Sequence, residues 1–151
     1  MKARYVHTNL VAADWRRLCR FYCEVFGCEV VPPERRQSGA WLARGTGVAD
    51  AALEGAHLRL PGPFDAGPTL EIFQYHASLA APHRSAANRQ GLGHLAFEVD
   101  DVTAFAAEVV AAGGTMVGNV VSRHVPQVGT LTFVYVADPE GNLIELQHWD
   151  C

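Results

Sequence analysis

Two histidines and two glutamates, His7, Glu71, His94 and Glu145, stand out in this chain as side chains that could act together. Two neutral imidazoles and two carboxylates balance the charge of a divalent cation. Mixed nitrogen and oxygen ligation suits Ni, Co, Zn, Mn or Fe(II) without choosing among them. An octahedral ion held by four such groups keeps two positions for water or substrate. Each residue sits in an alternating stretch, and strand side chains alternate between faces. Leu70 and Ile72 oppose Glu71, Phe73 and Tyr75, while Ile144 and Leu146 oppose Leu143, Glu145 and Gln147. Val6, Thr8 and Leu10 likewise oppose Tyr5, His7 and Asn9, and Leu95, Phe97 and Val99 oppose His94, Ala96 and Glu98. The pattern sets each of the four near the middle of a strand. A carboxylate there is costly unless exposed, paired or bound to a metal. A wet sheet face explains any one of these residues. It explains less well their equivalent places in two halves of the chain, or the bulky Phe73, Tyr75 and Leu143 among them, which suit a cleft wall.

The halves are visible as a repeat. The shift that lays His7 over His94 also lays Asp14 over Asp101 and Gly27 over Gly114. Each half starts with a His-bearing strand, turns at Asp, runs through a helix to Gly, and ends in a strand with Glu between aliphatics. Periodicity predicts strands near 3–11, 28–35, 51–60, 69–75, 92–99, 115–122, 130–137 and 142–148, and helices near 14–26 and 101–112. Asp14 and Asp101 are the expected N-caps. Trp15, Leu18, Cys19, Tyr22, Val25 and Phe26 form one apolar stripe, and Val102, Phe105, Ala106, Val109 and Ala112 another. Gly27 and Gly113-Gly114 supply the stops, and Asp138–Asn142 reads as a tight turn. The first half is longer, with its extra residues assigned to the Gly/Pro-rich stretches around Gly45–Gly47 and Pro61–Pro68. The expectation is an α+β fold: one domain over 1–151, with a βαβββ module over 3–75, a linker over 76–90 and a second module over 91–149. The two modules form a curved mixed-sheet cleft with helices on the outer face.

Composition narrows the function. A chain of 151 residues that is 49% hydrophobic builds a real core. A net charge of −4 with no basic run argues against nucleic-acid binding. No apolar stretch approaches a membrane span, and the N-terminus lacks the apolar segment of a signal peptide. The cytoplasm is therefore the expected compartment. Cys19, Cys23, Cys28 and Cys151 complete no zinc pattern and read as reduced thiols. Asn9, Glu98 and Gln147 share the face of the four ligand candidates and are candidate supporting or substrate-binding groups, beside Phe73, Tyr75 and Leu143. His57, His76, His83, His124 and His148 are surplus histidines, and Arg35, Arg36 and Arg123 read as surface groups that could meet an anion.

Three motifs carry a family resemblance over essentially the whole chain. They are His7 followed by a helix ending Phe21-Tyr22 and Phe26-Gly27; Gly93-His94-Leu95-Ala96-Phe97-Glu98-Val99-Asp100-Asp101; and Asp138-Pro139-Glu140-Gly141-Asn142-Leu143-Ile144-Glu145-Leu146. The chain resembles the vicinal oxygen chelate superfamily, the glyoxalase/bleomycin-resistance/dioxygenase fold. The resemblance implies a metal held by His7, Glu71, His94 and Glu145, which binds neighbouring oxygens of a small-molecule substrate. Glu at position 71 is similar to glyoxalase I and methylmalonyl-CoA epimerase, in which a carboxylate at the metal moves a proton next to a carbonyl. That similarity makes Glu145 and Glu71 the candidate bases of a lyase or isomerase. Bacterial glyoxalase I has Arg four residues after its first His and Asn four residues after the fourth-strand Glu; here these are Val11 and Tyr75. The same fold also implies two rival readings. One is an Fe(II) extradiol-type dioxygenase with Glu71 not a ligand. The other is a non-catalytic binder of a small molecule such as an antibiotic. The resemblance further implies a homodimer.

Overall fold

The computed structural model describes residues 2–63, 67–81 and 83–150, so Cys151 and parts of the Pro61–Pro68 stretch and the linker lie outside the described residues. The chain divides into two compact units, Met1–Ala80 and Ala81–Cys151.

In the first unit the order is β1 (His7–Val11), α1 (Trp15–Phe26), β2 (Glu29–Ser38), α2 (Ala40–Thr46), β3 (Ala52–Arg59) and β4 (Thr69–Tyr75). The strands lie in the order β1-β4-β3-β2. The first and last pair in parallel and the others antiparallel, which makes a mixed sheet. Helix α1 starts where Asp14 accepts from Arg17 N and stops where Gly27 adopts φ 67°. An L side chain resists that left-handed region, whereas glycine enters it freely. The predicted stripe packs inward: Trp15, Leu18, Cys19, Tyr22 and Phe26 are buried, and Leu58, Leu70 and Ile72 are buried in the adjoining strands. Each such aliphatic contributes roughly 1.5–3 kcal/mol by leaving water. The alternation of β4 thus turns Leu70 and Ile72 toward the helix and Glu71 away from it.

The second unit runs β5 (Leu95–Glu98), α3 (Val102–Ala111), β6 (Thr115–Met116), β7 (Val121–Val125), β8 (Gly129–Ala137) and β9 (Leu143–Asp150). Its sheet has the order β5-β9-β8-β6, with β7 also on β8. Strands β5 and β9 pair in parallel, as β1 and β4 do. Asp101 caps α3 by accepting from Thr103 N and Ala104 N. Val102, Ala106 and Val109 are buried, as are Val134, Val136, Ile144 and Leu146. Asp138 binds its own turn, its Oδ1 accepting from Glu140 N and Asn142 N.

The α+β expectation therefore stands, with four local corrections. Part of the extra length is the short helix α2, because Gly39 and Gly47 bound a run of helix formers, Ala40–Arg44, and do not mark a loop. The strand expected over 115–122 is broken in two. Val117 N and Gly118 N both donate to Tyr135 O, a bulge that interrupts the ladder. At the end of α3 the positive φ belongs to Gly113, whereas Gly114 is needed for space: a Cβ there would lie 2.5 Å from Ala137 O. Finally, the histidines are not mid-strand. His7 is the first residue of β1 and His94 immediately precedes β5, while Glu71 and Glu145 are each third in their strands.

Candidate functional site

In the first unit the carboxylate of Glu71 is surrounded by donors. Strand register brings them: Asn9 lies beside Glu71 across the parallel pair, His57 faces it across the antiparallel pair, and His7 lies beside Thr69. His7 Nε2 is 3.2 Å from Glu71 Oε2. Asn9 Nδ2 donates to the same oxygen at 3.4 Å. His57 Nε2 is 2.8 Å from Oε1, and its Nδ1 is 3.3 Å from Thr69 Oγ1. The His57 ring is held edge-on by Phe73 and His7, with centroids 5.8 and 6.1 Å away. Glu71 is only 8% exposed, so these contacts satisfy a charge that would otherwise be costly to bury. Burial pushes the His57 imidazole below its ordinary range; Arg35 and His7 push the same way, and Glu71 opposes them.

The second unit repeats the pattern with different chemistry. His94 Nε2 is 2.9 Å from Glu145 Oε2. Tyr135 faces Glu145 directly across the antiparallel pair. The Tyr135 and His94 rings lie 4.9 Å apart. Burial raises the Tyr135 hydroxyl above its usual range, and the Glu145 charge adds to this. The place beside Glu145 that corresponds to Asn9 is Ala96, which offers no donor.

The expected ligands thus meet as two His–Glu pairs, one in each unit. Their approaching atoms are imidazole Nε2 and carboxylate oxygen, a donor set that fits a divalent ion of the kind expected. Among the described residues, no three His, Cys, Asp or Glu side chains converge as a metal-holding group. His7 and His57 bracket Glu71 by approaching different oxygens.

The expected substrate groups fare unevenly. Gln147 is half-buried, and Glu98 is exposed beside it. Asn9 is engaged by Glu71. Phe73 and Tyr75 pack on a small cluster of Leu42, Ala51 and Leu53, so the unforeseen helix α2 covers part of that wall. Leu143, 4% exposed, is core and not wall, because it enters β9 directly from the tight turn. Of the surplus histidines, His148 accepts or donates locally, with Nδ1 2.9 Å from Val99 O and Nε2 3.4 Å from Asp150. His76 lies 3.9 Å from Glu54, and His83 and His124 are exposed.

His57, set aside among the surplus histidines, and Tyr135, not foreseen from the sequence, both belong to the site. A signal was present for the second. A tight turn at Asp138–Asn142 pairs Ala137 with Leu143, and counting back puts Tyr135 opposite Glu145. No such count reaches His57, because β3 ends at Arg59 and β4 begins only at Thr69.

Residues 4–146 match the family model of the Glyoxalase/Bleomycin resistance protein/Dioxygenase superfamily. A Vibrio parahaemolyticus protein named "Probable lactoylglutathione lyase" is 29% identical over 144 residues, covering 95% of this chain and 88% of its own length. A Vibrio cholerae protein of the same name is 28% identical over 145 residues, with the same coverage of each. Among solved structures, a glyoxalase family protein from Bacillus cereus aligns with TM-score 0.75 at 23% identity, over 99% of this chain and 94% of that one. A glyoxalase I variant from Zea mays aligns with TM-score 0.62 at 21% identity, over 95% of this chain and 44% of that one. At these identities the structures speak for the fold.

Proposed function

The chain belongs to the Glyoxalase/Bleomycin resistance protein/Dioxygenase superfamily, and from that premise we propose that it is a glyoxalase-like, metal-dependent lyase or isomerase that moves a proton next to a carbonyl. The observation that carries this is the duplicated pair: in each unit a His at or just before the start of the first strand presents Nε2 to a last-strand Glu, at 3.2 and 2.9 Å. His7, Glu71, His94 and Glu145 would hold one divalent ion, with all four ligands from one chain or shared between two. The ion, when bound, supplies stabilisation of the charge that develops on neighbouring substrate oxygens.

The protein's own part is to bind, orient and take the proton. Glu145 is the base in this proposal, with Tyr135 facing it and His94 beside it. Glu71 is the more heavily engaged carboxylate, since both its oxygens have protein donors. Gln147, Glu98 and Asn9 are the substrate-facing groups of this proposal; Phe73 and Tyr75 are steadied by the Leu42, Ala51 and Leu53 cluster, and Leu143 belongs to the core. The name borne by the two Vibrio relatives supports the lyase branch. Val11 and Tyr75, where bacterial glyoxalase I has Arg and Asn, direct the proposal to a small carbonyl substrate not committed to glutathione.

The test is metal analysis of the purified protein, followed by exchange of a carbon-bound proton in D₂O, read by NMR over a panel of 2-oxo and acyl thioester compounds. Exchange that needs the metal supports the reading. Iron with oxygen uptake on a catechol would replace it with a dioxygenase. Failure to bind any divalent ion would replace it with a non-catalytic binder.

A further inference from the structure

We propose that His57 is a positioning residue for Glu71, its Nε2–H fixing Oε1 so that Oε2 is the oxygen turned to His7. The inference rests on the reading above, in which His7 and Glu71 are ligands.

The geometry behind it is built into the sheet. His57 and Glu71 are direct partners on the two central strands, so the 2.8 Å contact does not depend on a long, free side chain. The ring cannot easily turn away, because Phe73 and His7 both meet it edge-on and Thr69 Oγ1 stands at Nδ1. The chemistry then sorts the protons. A carboxylate only accepts, so Nε2 must carry a hydrogen. The Thr69 hydroxyl can give its proton to Nδ1, which selects that tautomer. Metal-ligating carboxylates are oriented by such outer hydrogen bonds, and losing one typically weakens metal binding ~10–100-fold.

A second occurrence separates this from chance packing. Tyr135 stands opposite Glu145 as His57 stands opposite Glu71, and its ring lies 4.9 Å from that of His94. Both units thus place a side chain able to donate a hydrogen bond directly opposite the Glu on the neighbouring antiparallel strand. A residue that only satisfied a buried charge would alter stability alone. A positioning residue alters how the carboxylate meets an ion.

The experiment uses the full chain and Co(II) as the probe. Wild type, His57→Leu, His57→Gln and His7→Ala are compared for Co(II) affinity by chelator competition, for visible Co(II) bands, and for metal-free melting temperature. His57→Leu should weaken Co(II) about 10–100-fold and shift the bands. His57→Gln, whose amide N–H can still reach Oε1, should recover most of both. Long-range ¹H–¹⁵N NMR of the metal-free protein should show the His57 proton on Nε2. The proposal is overturned if the proton sits on Nδ1, or if His57→Leu binds Co(II) like wild type while His7→Ala does not. It is also overturned if the loss follows the fall in melting temperature with no recovery in His57→Gln. If wild type itself binds no Co(II), the metal reading fails and the proposal with it.

Discussion

Two glutamates in equivalent places are held in unequal ways, and this decides what each can do. Glu71 has donors on both oxygens, whereas Glu145 has His94 at one oxygen and Tyr135 opposite it on β8. Glu145→Gln keeps an oxygen for an ion but cannot accept a proton at neutral pH. With metal saturating, it should slow proton exchange ~10²–10⁴-fold while keeping most of its metal, and NMR exchange rates in D₂O check this. If Glu145→Gln exchanges as fast as wild type and Glu71→Gln does not, the base is Glu71. At this scale the sequence was legible where a carboxylate stood between aliphatics in an alternating stretch, as Glu71 and Glu145 do. It was illegible where the meaning lay in a pairing. His57 looks like any strand histidine until its register is known, and Pro61–Pro68 makes the turn between β3 and β4 too long to count across.

The elements were read well where one local rule governs them. Asp14 and Asp101 cap helices whose inner faces match the predicted stripes. Asp101 takes two backbone donors, so Asp101→Ala should cost about 1 kcal/mol of unfolding free energy. Asp101→Asn should cost less, and urea unfolding of both variants measures the difference. Elements were misread where two rules compete. Glycine marks loops and also bounds helices, and α2 sits between two such glycines. Val117 and Gly118 continue a strand-like pattern, yet both donate to one carbonyl and split it. The signature is Gly118-Asn119, since a glycine inside a strand pattern often marks a bulge.

Across the whole molecule, composition and repeat were enough to anticipate the α+β class, but not where stability would depend on pH. Burial pushes the Cys19 and Cys28 thiols up to about 12 from 9.0. Below pH 9 both folded and unfolded chains keep these protons, so the thiols leave stability unchanged. Above it the unfolded chain ionises first, and stability falls as pH rises from about 9 to about 12. Each thiol contributes at most about 1.4 kcal/mol per pH unit. Urea unfolding at pH 8 and pH 10 should show a drop that the Cys19→Ala/Cys28→Ala variant reduces. An equal drop in both proteins would assign it to other groups. The proposed function also carries a homodimer, for which light scattering at micromolar concentration should give twice the 16.4 kDa chain mass. A stable monomer would refute it.

Strands β1 and β5 stand at the edges of their sheets, each with one strand neighbour in the ladder order, and each begins at or just after its site histidine. Glu71 and Glu145 lie one strand in, faced from the other side by His57 and Tyr135. Local opening should therefore peel the edge strand first, carrying the histidine away while the antiparallel hairpin keeps its carboxylate in place. An ion that bridges the pair would latch the strand shut. Hydrogen–deuterium exchange should then slow in β1 and β5 when Co(II) is added, with β3, β4, β8 and β9 little changed. If the edge strands are already as protected as the hairpins in metal-free protein, no latch exists. Otherwise capture of a metal and completion of the sheet would be a single event.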